Sequence, residues 1–150
     1  MEGKTLYSGV LLVGRYLITS HLGEGGCGQT YLAEDQQFPG KPKCVVKQFK
    51  PQLNDPEILQ NLQRLFTQEA EVLSELGHHS QIPNLLAHFE EDSQFYLVQE
   101  WIDGQDLSHE LQAGHQLSEH YVASILYDIL DVLEVVHKKG VIHRDIKPSN

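Results

Sequence analysis

Residues 143–150 combine groups that could carry out phosphoryl chemistry. They read H-R-D-I-K-P-S-N and follow a helical segment and a turn at residues 139–140. Asp145 supplies a base, Lys147 a cation and Asn150 an amide oxygen within one short loop. Such a loop could deprotonate a hydroxyl, hold a phosphoryl group and coordinate a magnesium ion.

A glycine cluster near the start of the chain has a spacing that suits phosphate binding. Gly23, Gly25 and Gly28 form G-x-G-x-x-G, which is a weak signal by itself. A dinucleotide-binding turn would need a helix directly after the last glycine, whereas residues 29–32 continue as a strand. Two interpretations stay open: a glycine hairpin whose backbone N–H groups face phosphate oxygens, and a plain glycine hairpin.

Lys47 and Glu69 are candidates for an ion pair. Lys47 follows the run C-V-V on a predicted strand, where a lysine is usually solvated surface. Glu69 falls within the apolar stripe of a predicted helix, and an unpaired carboxylate there costs several kcal/mol. The sequence therefore predicts a partner for Glu69, with Lys47 the natural candidate. The alternative is that Glu69 lies at the edge of the stripe and reaches water.

The helices and strands that must position these groups are predicted from residue patterns and from the residues that begin and end each element. Alternating and β-branched residues predict strands at residues 15–22, 30–33, 44–49, 85–90 and 94–100. Asp55 as N-cap, Pro56 at the first helical position and Gly77 at the end delimit one helix. A short helix is expected at residues 106–111, and a longer one between its cap Ser118 and Gly140. This order predicts an α+β fold, a small antiparallel sheet with one helix followed by a helical region.

Composition narrows the choice of partners and compartment. The formal charge of −10 argues against binding nucleic acid or anionic lipid, so any phosphate must be held locally by a few groups. Cys27 and Cys44 form no disulfide pattern and favour a reduced, cytoplasmic protein. The apolar run at residues 10–13 is too short for a signal peptide or membrane span. The nine histidines show no metal-ligand spacing, which favours surface or capping roles.

Together, the glycine cluster, the C-V-V-K run, Glu69 and the H-R-D loop resemble the protein kinase family, in number and in order, over about residues 14–150. The chain looks like a bacterial serine/threonine kinase of the eukaryotic type. Lys147, two residues after Asp145, resembles the serine/threonine branch more than the tyrosine branch. Residues 1–13 precede this region and are expected to be a weakly patterned leader. A nucleotide-binding lobe would follow at residues 14–102, with a five-stranded antiparallel sheet and one helix. Residues 103–150 would begin a helical lobe.

The resemblance also implies roles for individual residues, with ATP and Mg²⁺ as cofactors and a protein serine or threonine as acceptor. Asp145 would take the proton of the acceptor hydroxyl, Lys147 would steady the γ-phosphate and Asn150 would bind a magnesium ion. Lys47, paired with Glu69, would hold the α- and β-phosphates. The remaining nucleotide contacts would come from Leu22, Gly23, Gly25, Gly28, Thr30, Val45, Gln99 as gatekeeper, the backbone of Glu100 and Ile102, and Asp106 at the ribose.

The chain departs from the family pattern in three pocket positions. Thr30 stands in place of the usual valine after the glycine loop, and Val45 replaces the usual alanine above the adenine. Gln99 is a polar gatekeeper. These changes would reshape the nucleotide pocket without removing a catalytic group.

No D-F-G or A-P-E motif occurs within the 150 residues. We therefore expect the chain by itself to be inactive and poorly stable, with the apolar face of its last helix only partly covered. The alternative function is a catalytically inactive partial kinase module that regulates by binding nucleotide or protein. A dinucleotide oxidoreductase is disfavoured, because no helix is predicted after Gly28.

Overall fold

The computed structural model describes residues 6–25, 28–49, 56–77, 79–111 and 116–149. The chain divides into two compact units, Met1–Trp101 and Ile102–Asn150. The first unit is a twisted sheet with one long helix, and the second is mainly helical. None of the helices in the described ranges is both long enough and apolar enough to cross a bilayer.

The sheet of the first unit contains six antiparallel strands, one more than predicted. They are β1 (Leu11–Leu12), β2 (Tyr16–Gly25), β3 (Gly28–Asp35), β4 (Lys43–Phe49), β5 (Leu85–Glu91) and β6 (Gln94–Glu100). Their spatial order is β1-β2-β3-β4-β6-β5, so β4 pairs with β3 on one side and β6 on the other. The predicted α+β class is confirmed, and the strand count of five is corrected by β1.

Helix α1 (Pro56–Leu76) covers one face of the sheet. Proline suits the first helical position because its missing N–H would have no intrahelical partner there. The predicted cap Asp55 lies outside the described residues. The buried stripe of the helix packs on side chains from β4 and β6, forming a core of Phe49, Leu62, Phe66, Ala70 and Leu97. This helix face is what brings Glu69 to the sheet.

The opposite face of the sheet is covered by residues 6–12, which lie within the expected leader. Leu6 and Leu12 are buried there in a core that includes Tyr16, Tyr31 and Val46. The backbone N–H of Ile18 donates to the carbonyl of Val10 at 2.8 Å, which ties the segment to β2. Pattern analysis missed this strand because two residues are too few to show alternation.

The second unit is built around helix α2 (Glu119–Lys138). Its predicted cap is observed, because the hydroxyl of Ser118 accepts a hydrogen bond from the backbone N–H of Tyr121 at 3.2 Å. Gly140 follows the helix with φ +74°, as a left-handed C-terminal residue requires. The short helix expected at residues 106–111 is a single 3₁₀ turn, Leu107–His109.

The apolar face predicted for α2 is only partly covered in this unit. Val136 is buried and Ile125, Ile129 and Leu133 are half-buried. Other large apolar side chains of the unit are exposed: Val122, Leu126, Leu130, Ile142 and Ile146. The helix therefore has the amphipathic pattern of a core element, but little of that pattern is buried within the described residues of the unit.

Candidate functional site

Strand register gathers four predicted nucleotide contacts on one face of the sheet. Thr30 lies directly opposite Lys47 across β3 and β4, and Val45 lies opposite Gln99 across β4 and β6. Side chains that face each other in this way point to the same side of a sheet, and alternate residues of a strand share a face. Leu97, opposite Lys47, belongs to the core under α1. The four residues therefore lie on the face that α1 covers.

The ion pair predicted between Lys47 and Glu69 is present on this face. The ammonium Nζ of Lys47 lies 2.7 Å from Oε1 and 2.8 Å from Oε2 of Glu69. The two side chains are 29% and 33% exposed, so water still reaches both groups. Solvent screening makes the contribution of such a pair to stability small. Its main consequence is to fix a positive charge at a defined point beside the sheet.

The glycine cluster forms the hairpin between β2 and β3. Gly23 lies opposite Thr30, and Gly25 lies opposite Gly28. A Cβ added at Gly28 would overlap the backbone carbonyl of Gln48, and its φ of +151° is one that L side chains rarely adopt. Gly23 has open space around it. The packing of β3 against β4 therefore requires glycine at position 28, independently of any ligand.

Leu22 precedes the cluster as the extra residue of a β-bulge between His21 and Gly23. Its side chain is exposed. A bulge adds twist and re-aims the side chain at that point of a strand. The tip residues 26 and 27 lie outside the described residues.

The end of β6 carries the remaining nucleotide candidates of the first unit. The backbone N–H of Glu100 donates to the carbonyl of Asn84 at 2.9 Å. The side-chain amide of Asn84 in turn donates to Oε2 of Glu100, also at 2.9 Å. Because the N–H of Glu100 is already bonded, any contact between the Glu100 backbone and an adenine edge would use the Glu100 carbonyl. Ile102 begins the second unit and is exposed.

The H-R-D segment forms an exposed loop in the second unit. Oδ2 of Asp145 lies 3.0 Å from Nζ of Lys147, so the predicted base and cation are adjacent. Arg144 has a φ of +63°, a left-handed conformation that is uncommon outside glycine. The backbone N–H of Ser108 donates to the carbonyl of Pro148 at 2.9 Å and anchors the end of the loop. Asn150 lies outside the described residues.

Asp106, predicted to reach a ribose, caps the 3₁₀ turn of this unit. Its Oδ1 accepts hydrogen bonds from the backbone N–H of Ser108, at 3.0 Å, and from the hydroxyl of the same residue. These bonds, the hydroxyl first, lower the pKa of the Asp106 carboxyl. The capping competes with any ribose contact for one carboxylate oxygen.

The buried groups of the first unit add little reactive chemistry. Burial raises the pKa of the Cys44 thiol to about 11, which keeps the sulfur protonated and unreactive. In the described ranges, no group of three or more His, Cys, Asp or Glu is placed to hold a metal ion.

Two residues next to Lys47 were missed as site residues by the sequence analysis. Leu97 is fully buried opposite Lys47, and Phe49 lies two residues further along the same strand. The Nζ of Lys47 lies 4.9 Å from the centroid of the Phe49 ring. Strand alternation from Lys47 identifies Phe49 as a same-face neighbour, whereas Leu97 depends on a register that a single sequence does not give.

Comparison with known proteins is consistent with this arrangement. The family model of the protein kinase domain matches residues 16–150. The chain therefore belongs to the protein kinase family.

Cyanobacterial serine/threonine kinases are among its relatives. Serine/threonine-protein kinase PknA of Nostoc sp. (strain PCC 7120) is 50% identical over 141 residues, which are 93% of this chain and 25% of PknA. Serine/threonine-protein kinase B of Synechocystis sp. (strain PCC 6803) is 46% identical over 139 residues, which are 93% of this chain and 24% of that kinase. The chain thus spans about a quarter of the length of these relatives.

A solved kinase domain has the same fold. The crystal structure of the PknI kinase domain of M. tuberculosis matches 97% of this chain with a TM-score of 0.76 and 28% sequence identity. The chain covers 56% of that kinase domain. The protein-kinase fold expected from the motifs is therefore confirmed.

Proposed function

We propose that this chain supplies the ATP-binding elements and the catalytic loop of a serine/threonine protein kinase. The whole protein would transfer the γ-phosphoryl group of ATP to a serine or threonine hydroxyl of a protein. The observation that carries the proposal is the Lys47–Glu69 ion pair, held on the same sheet face as Thr30, Val45 and Gln99 in a chain of this family.

The side chains on this sheet face have the chemistry to bind a nucleotide. The partly exposed ammonium of Lys47 suits the α- and β-phosphates, and the apolar side chain of Val45 suits the adenine ring. Glycine backbone N–H groups suit the remaining phosphate oxygens. The contacts proposed for the first unit are Leu22, Gly23, Gly25, Gly28, Thr30, Val45, Lys47, Gln99 and the carbonyl of Glu100. The backbone of Ile102 and the side chain of Asp106, in the second unit, are proposed only because of the resemblance to the family.

The catalytic loop would handle the proton and the charge. The carboxylate of Asp145 would accept the proton of the acceptor hydroxyl as the hydroxyl oxygen attacks the γ-phosphorus, while the bond from that phosphorus to the β–γ bridging oxygen breaks and ADP leaves. The ammonium of Lys147, 3.0 Å from that carboxylate, steadies the negative γ-phosphoryl oxygens. Asn150 would hold a magnesium ion, which would supply neutralisation of the phosphate charge. The rate gain would come from positioning and electrostatic stabilisation rather than from a covalent intermediate.

The test is phosphoryl transfer by the natural full-length protein. ATP labelled at the γ-phosphate is supplied with magnesium and a general protein acceptor, and label on serine or threonine is measured. We expect Asp145→Asn to bind ATP with nearly unchanged affinity while transfer falls at least about 100-fold, as general-base removal does. The matched control is Asp131→Asn, which removes an exposed carboxylate from α2 and should leave transfer unchanged.

Lys47→Met tests the nucleotide side of the same proposal. Loss of a charge-assisted contact to phosphate should weaken ATP binding by about 10- to 100-fold. Lys43→Met, an exposed lysine at the start of the same strand, is the control and should bind ATP normally. Failure of the unmodified protein to bind ATP would overturn the proposal. Binding without transfer would favour the alternative, a nucleotide-binding regulator.

We also place the domain in the cytoplasm. ATP is available there, and the reducing conditions match a chain whose cysteines form no disulfide pattern. Subcellular fractionation of the full-length protein, with the position of this domain probed by protease protection, tests the placement.

A further inference from the structure

Phe49 lies beside the candidate phosphate-binding lysine and is almost completely buried. It follows Lys47 by two residues on β4, so both side chains point to the face covered by α1. The ring is 1% exposed, and the Nζ of Lys47 lies 4.9 Å from its centroid. That distance is within the range in which the negative face of an aromatic ring attracts a cation.

The same ring also contacts the helix that carries Glu69. Phe49 packs edge-on against Phe66 of α1, with ring centroids 5.6 Å apart and planes at 77°. Phe66 precedes Glu69 by three residues, about one helical turn. Phe66 is held in turn by Phe95 of β6, 5.1 Å away. One buried ring thus touches the ammonium directly and fixes the helix turn that presents its carboxylate partner.

We propose that Phe49 is a positioning residue that holds the ammonium of Lys47 ready for nucleotide phosphates. The inference rests on the proposed function, in which Lys47 contacts ATP. A lysine side chain has four rotatable bonds and loses considerable freedom when its end is fixed. In the structure Glu69 fixes the ammonium from one side and the Phe49 ring from another. Because both contacts restrict the ammonium, part of the ordering cost is met before ATP binds.

Phe49 also fills space, so a truncation alone would not separate packing from positioning. Phe49→Ala would open a large cavity beside α1 and destabilise the whole unit. Fluorinated phenylalanines separate the two roles. Successive fluorine atoms on the ring withdraw electron density from its face while changing its shape little.

The experiment replaces Phe49 in the full-length protein with phenylalanine analogues carrying one, three and five fluorine atoms. ATP affinity is measured by calorimetry and stability by denaturant unfolding. We expect affinity to fall stepwise, by about threefold to tenfold across the series, from loss of the cation–π attraction. The unfolding midpoint should stay nearly constant. The same series at Phe95, which packs on the same Phe66 ring, is the control and should leave affinity flat.

Equal ATP affinity across the Phe49 series would overturn the inference while leaving the proposed function intact. A fall of the same size in the Phe95 series would also overturn it, because packing alone would then account for both. If the unmodified protein binds no ATP, the proposed function fails and this inference fails with it. Phe49→Leu paired with Phe95→Leu repeats the comparison with ordinary residues, and only the first should lose affinity.

Discussion

Lys47 and Glu69 meet because two different periodicities agree at one point. Alternation along β4 turns Lys47 toward α1, together with Val45 and Phe49. The helical period places Glu69 three residues after Phe66, about one turn along the helix from a residue that packs on the sheet. Moving either residue by one position would turn its charge away from the other. The pair is therefore a sensitive marker of correct strand and helix register.

Gly28 provides a residue-scale prediction. Because a Cβ there would overlap the carbonyl of Gln48 and the φ of +151° disfavours an L side chain, Gly28→Ala should lower the free energy of unfolding by about 2 kcal/mol or more. Gly23→Ala is the control, since nothing lies within 4 Å of the added methyl group. Denaturant unfolding compares the two. Equal stability of both variants would contradict the geometry at Gly28.

At the scale of elements, Arg15 and Asp35 clamp the start of β2 to the end of β3. Nε of Arg15 donates to Oδ1 of Asp35 at 2.9 Å, and Nη2 donates to Oδ2 at 2.7 Å. This bonding holds the pKa of the Asp35 carboxyl below its ordinary value. A lowered pKa in the folded state means that the carboxylate form stabilises the fold.

We therefore expect Asp35→Asn to reduce the free energy of unfolding at pH 7 by about 1 to 2 kcal/mol. This is at the low end of the range for hydrogen bonds between charged groups, because Arg15 is partly exposed and solvent screens the pair. The stabilisation is complete above the unfolded-state pKa of about 3.9 and disappears as pH falls through the lower folded-state pKa. The gap between the parent and Asp35→Asn should thus be constant from pH 7 to about pH 5 and narrow below about pH 4. Glu34→Gln, one residue away, is the control and should produce no comparable gap.

Residues 6–12, which cover the sheet face opposite α1, allow a second prediction at the scale of elements. Leu12 is 3% exposed and belongs to the core, whereas Leu11 is 48% exposed on the same two-residue strand. Leu12→Ala should cost about 2 to 4 kcal/mol through lost burial and the cavity left behind. Leu11→Ala should cost less than about 1 kcal/mol. Similar losses for both variants, measured by denaturant unfolding, would mean that the segment does not pack as described.

The elements were predictable from sequence to different degrees. Strands β4 and β6 and the cap of α2 at Ser118 follow from strong local signals and agree with the structure within a residue. Strand β2 extends to Gly25, beyond the predicted end, because hydrogen bonding across the hairpin continues through residues with low strand propensity. β1 was not predicted, because only its pairing with β2 defines it as a strand and its own two residues show no strand pattern.

The residues of the candidate site were also predictable from sequence to different degrees. A local conflict, a carboxylate in an apolar stripe, was enough to predict the pairing of Glu69 with Lys47. The contacts of Phe49 and Leu97 depend on side-chain packing and on cross-strand register, which no local pattern specifies. Sequence thus identified the charges that need partners, and the structure adds the apolar groups that hold them in place.

For the whole molecule, the two units differ in how completely they bury apolar surface. Both core clusters of the sheet are formed by residues within 6–98. The second unit leaves large side chains of α2 and its following loop exposed, among them Leu126, Leu130 and Ile146. Apolar side chains of this size each contribute about 1.5 to 3 kcal/mol when fully buried. A polypeptide of these 150 residues therefore exposes the apolar side chains of α2 and its following loop in addition to those exposed on the first unit, such as Leu11 and Phe38.

Two polypeptides test this difference, residues 1–150 and residues 1–101. We expect the shorter one to unfold cooperatively, because it contains both cores, and to bind little of a dye that fluoresces on apolar surface. The longer one should bind the dye strongly. Leu126→Glu with Leu130→Glu in the longer polypeptide should reduce the signal, because both side chains are exposed and the change removes apolar area without opening a core. Equal dye binding by both lengths would show that the exposed surface lies in the first unit instead.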